Sequence, residues 1–160
     1  MEQLPEILLW LFIMNLGIAF GAGLYETKII LPQWFNKSED GVYSVNLKAM
    51  NETDTGRKFW GFVTTMPLTL LTIANLIVAL RSGEPRHDWW LASSLIVLVE
   101  RMATFCFFIP VAIQLMKADT LKPEAISSKV NLWIRLNYFR NLLTVLGWIA
   151  ALKTLSIIAS

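Results

Sequence analysis

The chain has 160 residues, 55% of them hydrophobic, with a formal net charge of +2 and a mean hydropathy of +0.52. A soluble domain of this length leaves much of its surface in water, so an apolar excess of this size needs lipid to receive it. The 14 Lys and Arg are scattered rather than gathered on one face, which argues against nucleic acid, and the lone Cys106 excludes an internal disulfide framework or a CxxC metal site.

A bilayer core about 30 Å thick calls for about 20 apolar residues in a helix. Four stretches meet that length: residues 7–31, 59–80, 89–116 and 130–158. The fold class expected is therefore all-α, an integral membrane four-helix bundle forming one domain over residues 1–160. The seven Trp fit this class, since indole is favoured at the lipid–water boundary.

The first span is uncharged over residues 7–25, has Pro5 near its start, and is expected to end at Pro32. A signal peptide is the alternative. Glu2 and Glu6 with no Lys or Arg in the first six residues, and an apolar run longer than the roughly 7–15 residues of a signal core, favour the span. Gly17 and Gly21 form a GxxxG pattern, followed by Gly23, which suits close helix packing inside the bundle better than a dimer face. A homo-oligomer is left open. Asn15, Ala22 and Glu26 fall on roughly one face.

The linker over residues 32–58 is too long for a simple connector. Asp40-Gly41 signals a turn, and the imperfect alternation over residues 42–47 suggests a small hairpin or cap. The second span, residues 59–80, carries no charge. The third carries Glu100 and Arg101. Glu100 sits about 17 Å along its helix, close to the midplane. Arg101 projects about 100° away, so the two are not expected to pair directly along the helix. In the fourth span Trp133, Asn137, Arg140 and Asn141 share one face, whereas Arg135 lies on another and can snorkel toward the linker side.

Basic residues divide unequally between the two sides. Arg81, Arg86 and Lys153 lie with the termini; Lys28, Lys37, Lys48, Arg57, Lys58, Lys117, Lys122 and Lys129 lie opposite. The positive-inside rule then puts linkers 32–58 and 117–129 in the cytoplasm and the termini outside. Two glycosylation tripeptides in the first linker, Asn36-Lys37-Ser38 and Asn51-Glu52-Thr53, point the other way. The expected location is a bacterial inner membrane, crossed several times.

An ionised side chain near the bilayer centre costs at least about 2.5–3.5 kcal/mol on insertion scales, so it faces protein or water. The amide, indole and guanidinium face of the fourth span is not built for lipid. Glu26, Trp60, Thr64 and Thr65 lie toward the same membrane side, and Glu26 and Arg140 form the natural charge pair. Either these residues, with Glu100, surround a polar pocket opening toward the long linkers, or they form an interfacial ring without a ligand. Glu100 with Arg101 is likewise either part of a site or a charge pair locking helices together. His87, the lone histidine, lies in the short linker and reads as an interfacial residue rather than a haem ligand. No metal site and no cofactor motif is expected.

The string Gly21-Ala-Gly-Leu-Tyr-Glu26-Thr-Lys-Ile-Ile-Leu-Pro32 resembles the first-helix signature of the DUF1772, or anthrone oxygenase-like, membrane proteins. Phe59-Trp60, Phe107-Phe108-Ile109-Pro110 and Trp133-Ile-Arg-Leu-Asn137-Tyr-Phe-Arg140 are similar to the family as well. The resemblance covers most of the chain and is weakest in the first linker. It implies a small four-helix membrane protein that oxidises an anthrone-type substrate without metal or flavin. Glu26 would then be a base, Asn137 and Arg140 would stabilise an oxyanion, and Trp60 and Trp133 would stack on the substrate ring; Thr64, Glu100 and Asn141 are further substrate-binding candidates from their place in the spans alone. Its partners would be the lipid bilayer and an apolar aromatic, quinone or lipid-like molecule. A non-catalytic lipid or quinone carrier and an accessory subunit are the competing readings; no inverted repeat or broken helix pair supports transport.

Overall fold

In the computed structural model, which describes residues 3–83 and 87–158, four long helices form an up-down bundle. Glu2 and Arg86, both used above, lie outside the described residues. The helices are α1 (Gln3–Trp34), α3 (Gly56–Arg81), α4 (His87–Leu115) and α5 (Pro123–Ile158), each long and apolar enough to cross a membrane. Neighbours in sequence pack side by side, and α5 returns against α1 to close the ring. A hairpin of β1 (Phe35–Lys37) and β2 (Tyr43–Val45), antiparallel with Asn36 opposite Ser44, and a short helix α2 (Leu47–Thr53) fill the first linker.

Helices α1 and α3 start a few residues before the expected spans, at Gln3 and Gly56, and two larger differences have a local cause. Helix α5 begins at Pro123 rather than 130, because a proline at a helix start loses no hydrogen bond and Glu124 suits the positive end of the helix dipole. Helix α1 runs through Pro32 to Trp34 instead of stopping. The reason is local. Residues Glu26–Ile30 are wound as a π-helix, and the Leu31 N–H reaches back five residues to the Glu26 carbonyl. A proline inside a helix lacks an N–H and clashes with the carbonyl four residues before it, and a wider turn upstream relieves both conflicts.

The same device recurs in the next two helices. The π-helical stretch Gly56–Thr65 precedes Pro67, with the Met66 N–H on the Gly61 carbonyl. The stretch Thr104–Phe108 precedes Pro110, with the Ile109 N–H on the Thr104 carbonyl. All three lie in the half of the bundle nearest the long linkers.

The interior divides into two clusters. Toward the chain termini, Leu9, Phe12, Leu16, Leu68, Trp90, Val97 and Ala151 pack together. Toward the linkers, Trp34, Phe35 and Met50 of the cap join Phe108, Val111, Leu115, Val130 and Trp133 of the helices. The cap is fastened by the Trp34 indole N–H donating to Thr53 Oγ1 at 2.8 Å and by the Tyr43 N–H donating to Ser127 Oγ at 3.0 Å. It is therefore docked on α5, and the two longer linkers meet at one end.

The glycines of α1 do not act as one motif. A Cβ on Gly17 would press on the Trp148 ring, and one on Gly23 would collide with the Asn141 amide, so both serve close packing inside the bundle. A Cβ on Gly21 would meet nothing within 4 Å. The interior packing expected of the Gly17/Gly21 pair thus holds for Gly17 alone.

Candidate functional site

The linker half of the bundle encloses a cavity of about 320 Å³, inside the size range of small-molecule sites. Each of the three π-helical segments contributes to it: Glu26 from α1, Trp60 and Thr65 from α3, Thr104 and Phe108 from α4. Trp133, Arg140, Asn141 and Thr144 of α5 complete the opposite wall. At the mouth stand Asp54 and Arg57, paired at 3.6 Å. Asp54 is the left-handed residue (φ 36°) that turns the chain out of α2 toward α3.

Glu26 and Arg140 meet as expected, 114 positions apart in sequence, with Arg140 Nη2 2.5 Å from Glu26 Oε2. The guanidinium also faces the Phe108 ring at 4.4 Å and the Trp60 ring at 5.3 Å, so aromatic faces hold the cation where water is scarce. Such a pair is a poor source of net stability, because desolvation offsets most of its attraction, but losing one partner leaves a buried charge.

Glu100 and Arg101 do pair, contrary to the helical-wheel expectation: Arg101 Nη2 and Nε both engage Glu100 Oε2. The wheel argument treats side chains as short spokes. An Arg side chain is long enough to fold back across the gap between adjacent positions, and in an apolar interior nothing else competes for it. Thr104 Oγ1 also donates to Glu100 Oε1 at 3.2 Å. Both charged residues line the cavity, Glu100 only 1% and Arg101 6% exposed. Arg101 Nη1 is buried with no partner.

Trp133 Nε1 is likewise buried without a partner, in a residue 3% exposed. Its ring is wedged edge-to-face against Phe108 and Phe35, with centroids at 5.3 and 6.3 Å. A rigid indole and a fixed guanidinium thus line one apolar-walled chamber, each with an N–H lacking an acceptor. Leaving such a donor buried costs about 1–3 kcal/mol, and an incoming oxygen acceptor relieves that cost.

Not every expected residue lines the chamber. Asn137 is buried, but its amide donates to Thr27 Oγ1 at 2.7 Å and it is not part of the cavity wall. Thr64 is buried with its hydroxyl on the Trp60 carbonyl, and Thr65 takes its place at the wall. Asn141 lines the chamber and also ties α5 to α1, through Thr27 Oγ1 at 3.1 Å and the Gly23 carbonyl at 3.3 Å. Asn15 turns inward, donating to the Val63 carbonyl at 2.9 Å within the second π-helical stretch. His87 opens α4, and its Nδ1 lies 2.9 Å from the Ala79 carbonyl, far along the bundle from the chamber. Among the described residues no three His, Cys, Asp or Glu come together as metal ligands. Arg101, Thr104, Phe108 and Thr144 line the wall without a sequence expectation; for Thr104 and Phe108 the following Pro110 was the available signal.

Compared with family models, curated proteins and solved structures, the chain matches none of them.

Proposed function

We propose that this is a multi-pass membrane protein whose linker-side chamber takes a membrane-soluble aromatic or quinol and oxidises it. The observation that carries the reading is the pair of orphaned donors, Arg101 Nη1 and Trp133 Nε1, buried in an apolar-walled chamber beside the Glu26–Arg140 pair. With each Arg already matched to a carboxylate, the chamber has no net charge to offer. Its wall does hold two buried N–H groups without acceptors, which a small side-chain shift turns to an oxygen: a carbonyl, a phenol or a phenolate.

A membrane setting is supported by the outer surface. Large apolar side chains point outward along all four helices, Phe62 at 80% exposure among them, while Glu26, Glu100 and Arg101 turn inward. Apolar surface this continuous is not left to water. The charge count favours a bacterial inner membrane orientation with the linker end and its cap in the cytoplasm and the termini outside.

The chemistry follows the resemblance. Glu26 accepts a proton from the electron-rich ring. Arg140, close by, and the Arg101 and Trp133 donors hold the developing oxyanion, in a chamber that excludes water. The substrate anion gives electrons to dioxygen; an anthrone methylene becomes a carbonyl and the second oxygen atom leaves as water. Asn137 acts one step back, holding Thr27 and so the turn that carries Glu26.

Oxygen uptake by the purified protein with an anthrone or a quinol tests this. Wild type is expected to consume oxygen and Glu26→Gln to lose that turnover. Unchanged turnover in Glu26→Gln removes the proposed base. A stoichiometric co-purifying quinone or lipid with no turnover favours the carrier reading, which the same orphaned donors support.

A further inference from the structure

A second cavity adjoins the chamber. It measures about 460 Å³, lies between α1 and α3, and is walled by Gly21, Ala22, Tyr25 and Ile30 on one side and Phe59 on the other. Glu26, Trp60 and Thr55 belong to both cavities, so the two share a wall at the charged end of the site. The contrast between them is chemical. The chamber has buried, unpartnered N–H groups; the cleft is almost wholly apolar and runs out to the exposed Gly21 and Tyr25.

We infer that the ligand is a tailed amphiphile, a ring with an oxygen acceptor seated in the chamber and a prenyl or alkyl chain leaving through this cleft into the surrounding lipid. The inference rests on the chamber being a ligand site and adds the class of ligand. From Gly21 to Ile30 the cleft follows α1 for about 14 Å, nearly half of a bilayer core, so the tail lies along the helix at acyl-chain depth. Gly21 explains itself here: it removes a side chain where the tail must pass, and nothing in the protein occupies the space in front of it. Lipid is as apolar as the cleft, so the tail adds little affinity. What the cleft supplies is permission: an enclosed chamber would reject the tail, and an open one accepts it.

The test uses the protein in lipid nanodiscs with two probes, 2-methyl-1,4-naphthoquinone and the same ring bearing a multi-isoprene side chain. Binding to empty nanodiscs is subtracted to remove partitioning. Wild type is expected to bind both rings comparably. Gly21→Trp is expected to weaken the tailed probe by about tenfold or more while leaving the tailless ring within about twofold. Leu70→Trp, on the outer surface away from the cleft, is expected to change neither. A Cβ at Gly21 meets nothing within 4 Å, so the new side chain starts in open space, and an unchanged thermal midpoint checks that the bundle stays intact. Wild type that binds the tailless ring but rejects the tailed one overturns the inference, as does Gly21→Trp binding the tailed probe at full strength. Both results leave the chamber reading standing. If wild type binds neither probe, both fall.

Discussion

The two ends of the bundle solve the problem of buried polar groups in opposite ways. Toward the termini, Asn75 sits at the centre of a satisfied network: its amide donates to the Leu8 and Leu71 carbonyls and its oxygen accepts the Trp90 indole N–H at 2.9 Å. Ser93 closes α4 onto α5 through the Gly147 carbonyl at 2.8 Å. Unpartnered atoms on Ser94 and Trp148 exist, but neither residue lines either cavity. Toward the linkers the helices are wound loosely through three π-helical stretches, a chamber opens, and donors of Arg101 and Trp133 lie buried in its wall without acceptors. Small residues and paired amides make the first end a packed scaffold. Prolines and paired charges make the second a container.

Breaking the container's charge pair is expected to have the largest effect. Arg140→Leu leaves Glu26 buried beside a hydrocarbon side chain and should lower stability by about 3–5 kcal/mol, read as a loss of folded protein in detergent. The double variant Glu26→Leu with Arg140→Leu should recover most of that loss while remaining inactive. If the single variant is as stable as wild type, water reaches Glu26 freely and the chamber is not dry.

The glycines sharpen the contrast next. A Cβ on Gly147 would sit 2.5 Å from Val97 Cγ2, so Gly147→Leu should destabilise the scaffold end by about 1–3 kcal/mol through overpacking. Gly21→Ala, facing the open cleft, should stay within about 0.5 kcal/mol of wild type. Thermal midpoints of the two variants in the same micelles decide the matter. Equal shifts would mean that the two ends are packed alike.

These effects show what the residues disclosed and what they did not. Four runs long enough to cross a bilayer, and a polar face from Trp133 to Asn141, follow from period and length alone. The Glu26–Arg140 contact followed from asking which charges share a depth. Pro32, however, reads as a helix end because sequence patterns assume α-helical winding; the π-helical turn over Glu26–Ile30 carries the helix past it. The Glu100–Arg101 pair escaped for a related reason, since a wheel diagram places Cβ atoms and ignores the reach of a guanidinium. Asn137 and Asn141 look identical on the wheel. Only packing shows that Asn137 anchors Thr27 while Asn141 also touches the chamber.

That anchoring predicts a smaller effect. Asn137→Ala removes one interhelical hydrogen bond to Thr27, and such bonds average about 0.6 kcal/mol and reach about 1.7 kcal/mol in membrane bundles. A modest drop in thermal midpoint is expected, with a larger drop in turnover, because the turn carrying Glu26 loses its support. Asn137→Gln, which keeps an amide N–H to donate to Thr27 Oγ1, should retain more activity than the alanine variant. Equal activity in the two variants would mean that Asn137 does not position Glu26.

A small effect on stability is expected at the residue that matters most to ligand binding. Trp133→Phe keeps an aromatic ring against Phe108 and Phe35 but deletes the N–H that has no partner. Removing an unsatisfied buried donor relieves a desolvation cost, so the ligand-free protein should be no less stable than wild type, apart from the volume lost with the indole. Affinity for a ring ketone or phenol should nevertheless fall by about tenfold, the value of one hydrogen bond in a dry site. A packed scaffold residue behaves the other way round, since Trp90→Phe would strip Asn75 of its donor and lower stability without touching the chamber. If Trp133→Phe destabilises the empty protein as Trp90→Phe does, and leaves affinity unchanged, its indole is scaffold and the two ends of the bundle differ in shape alone.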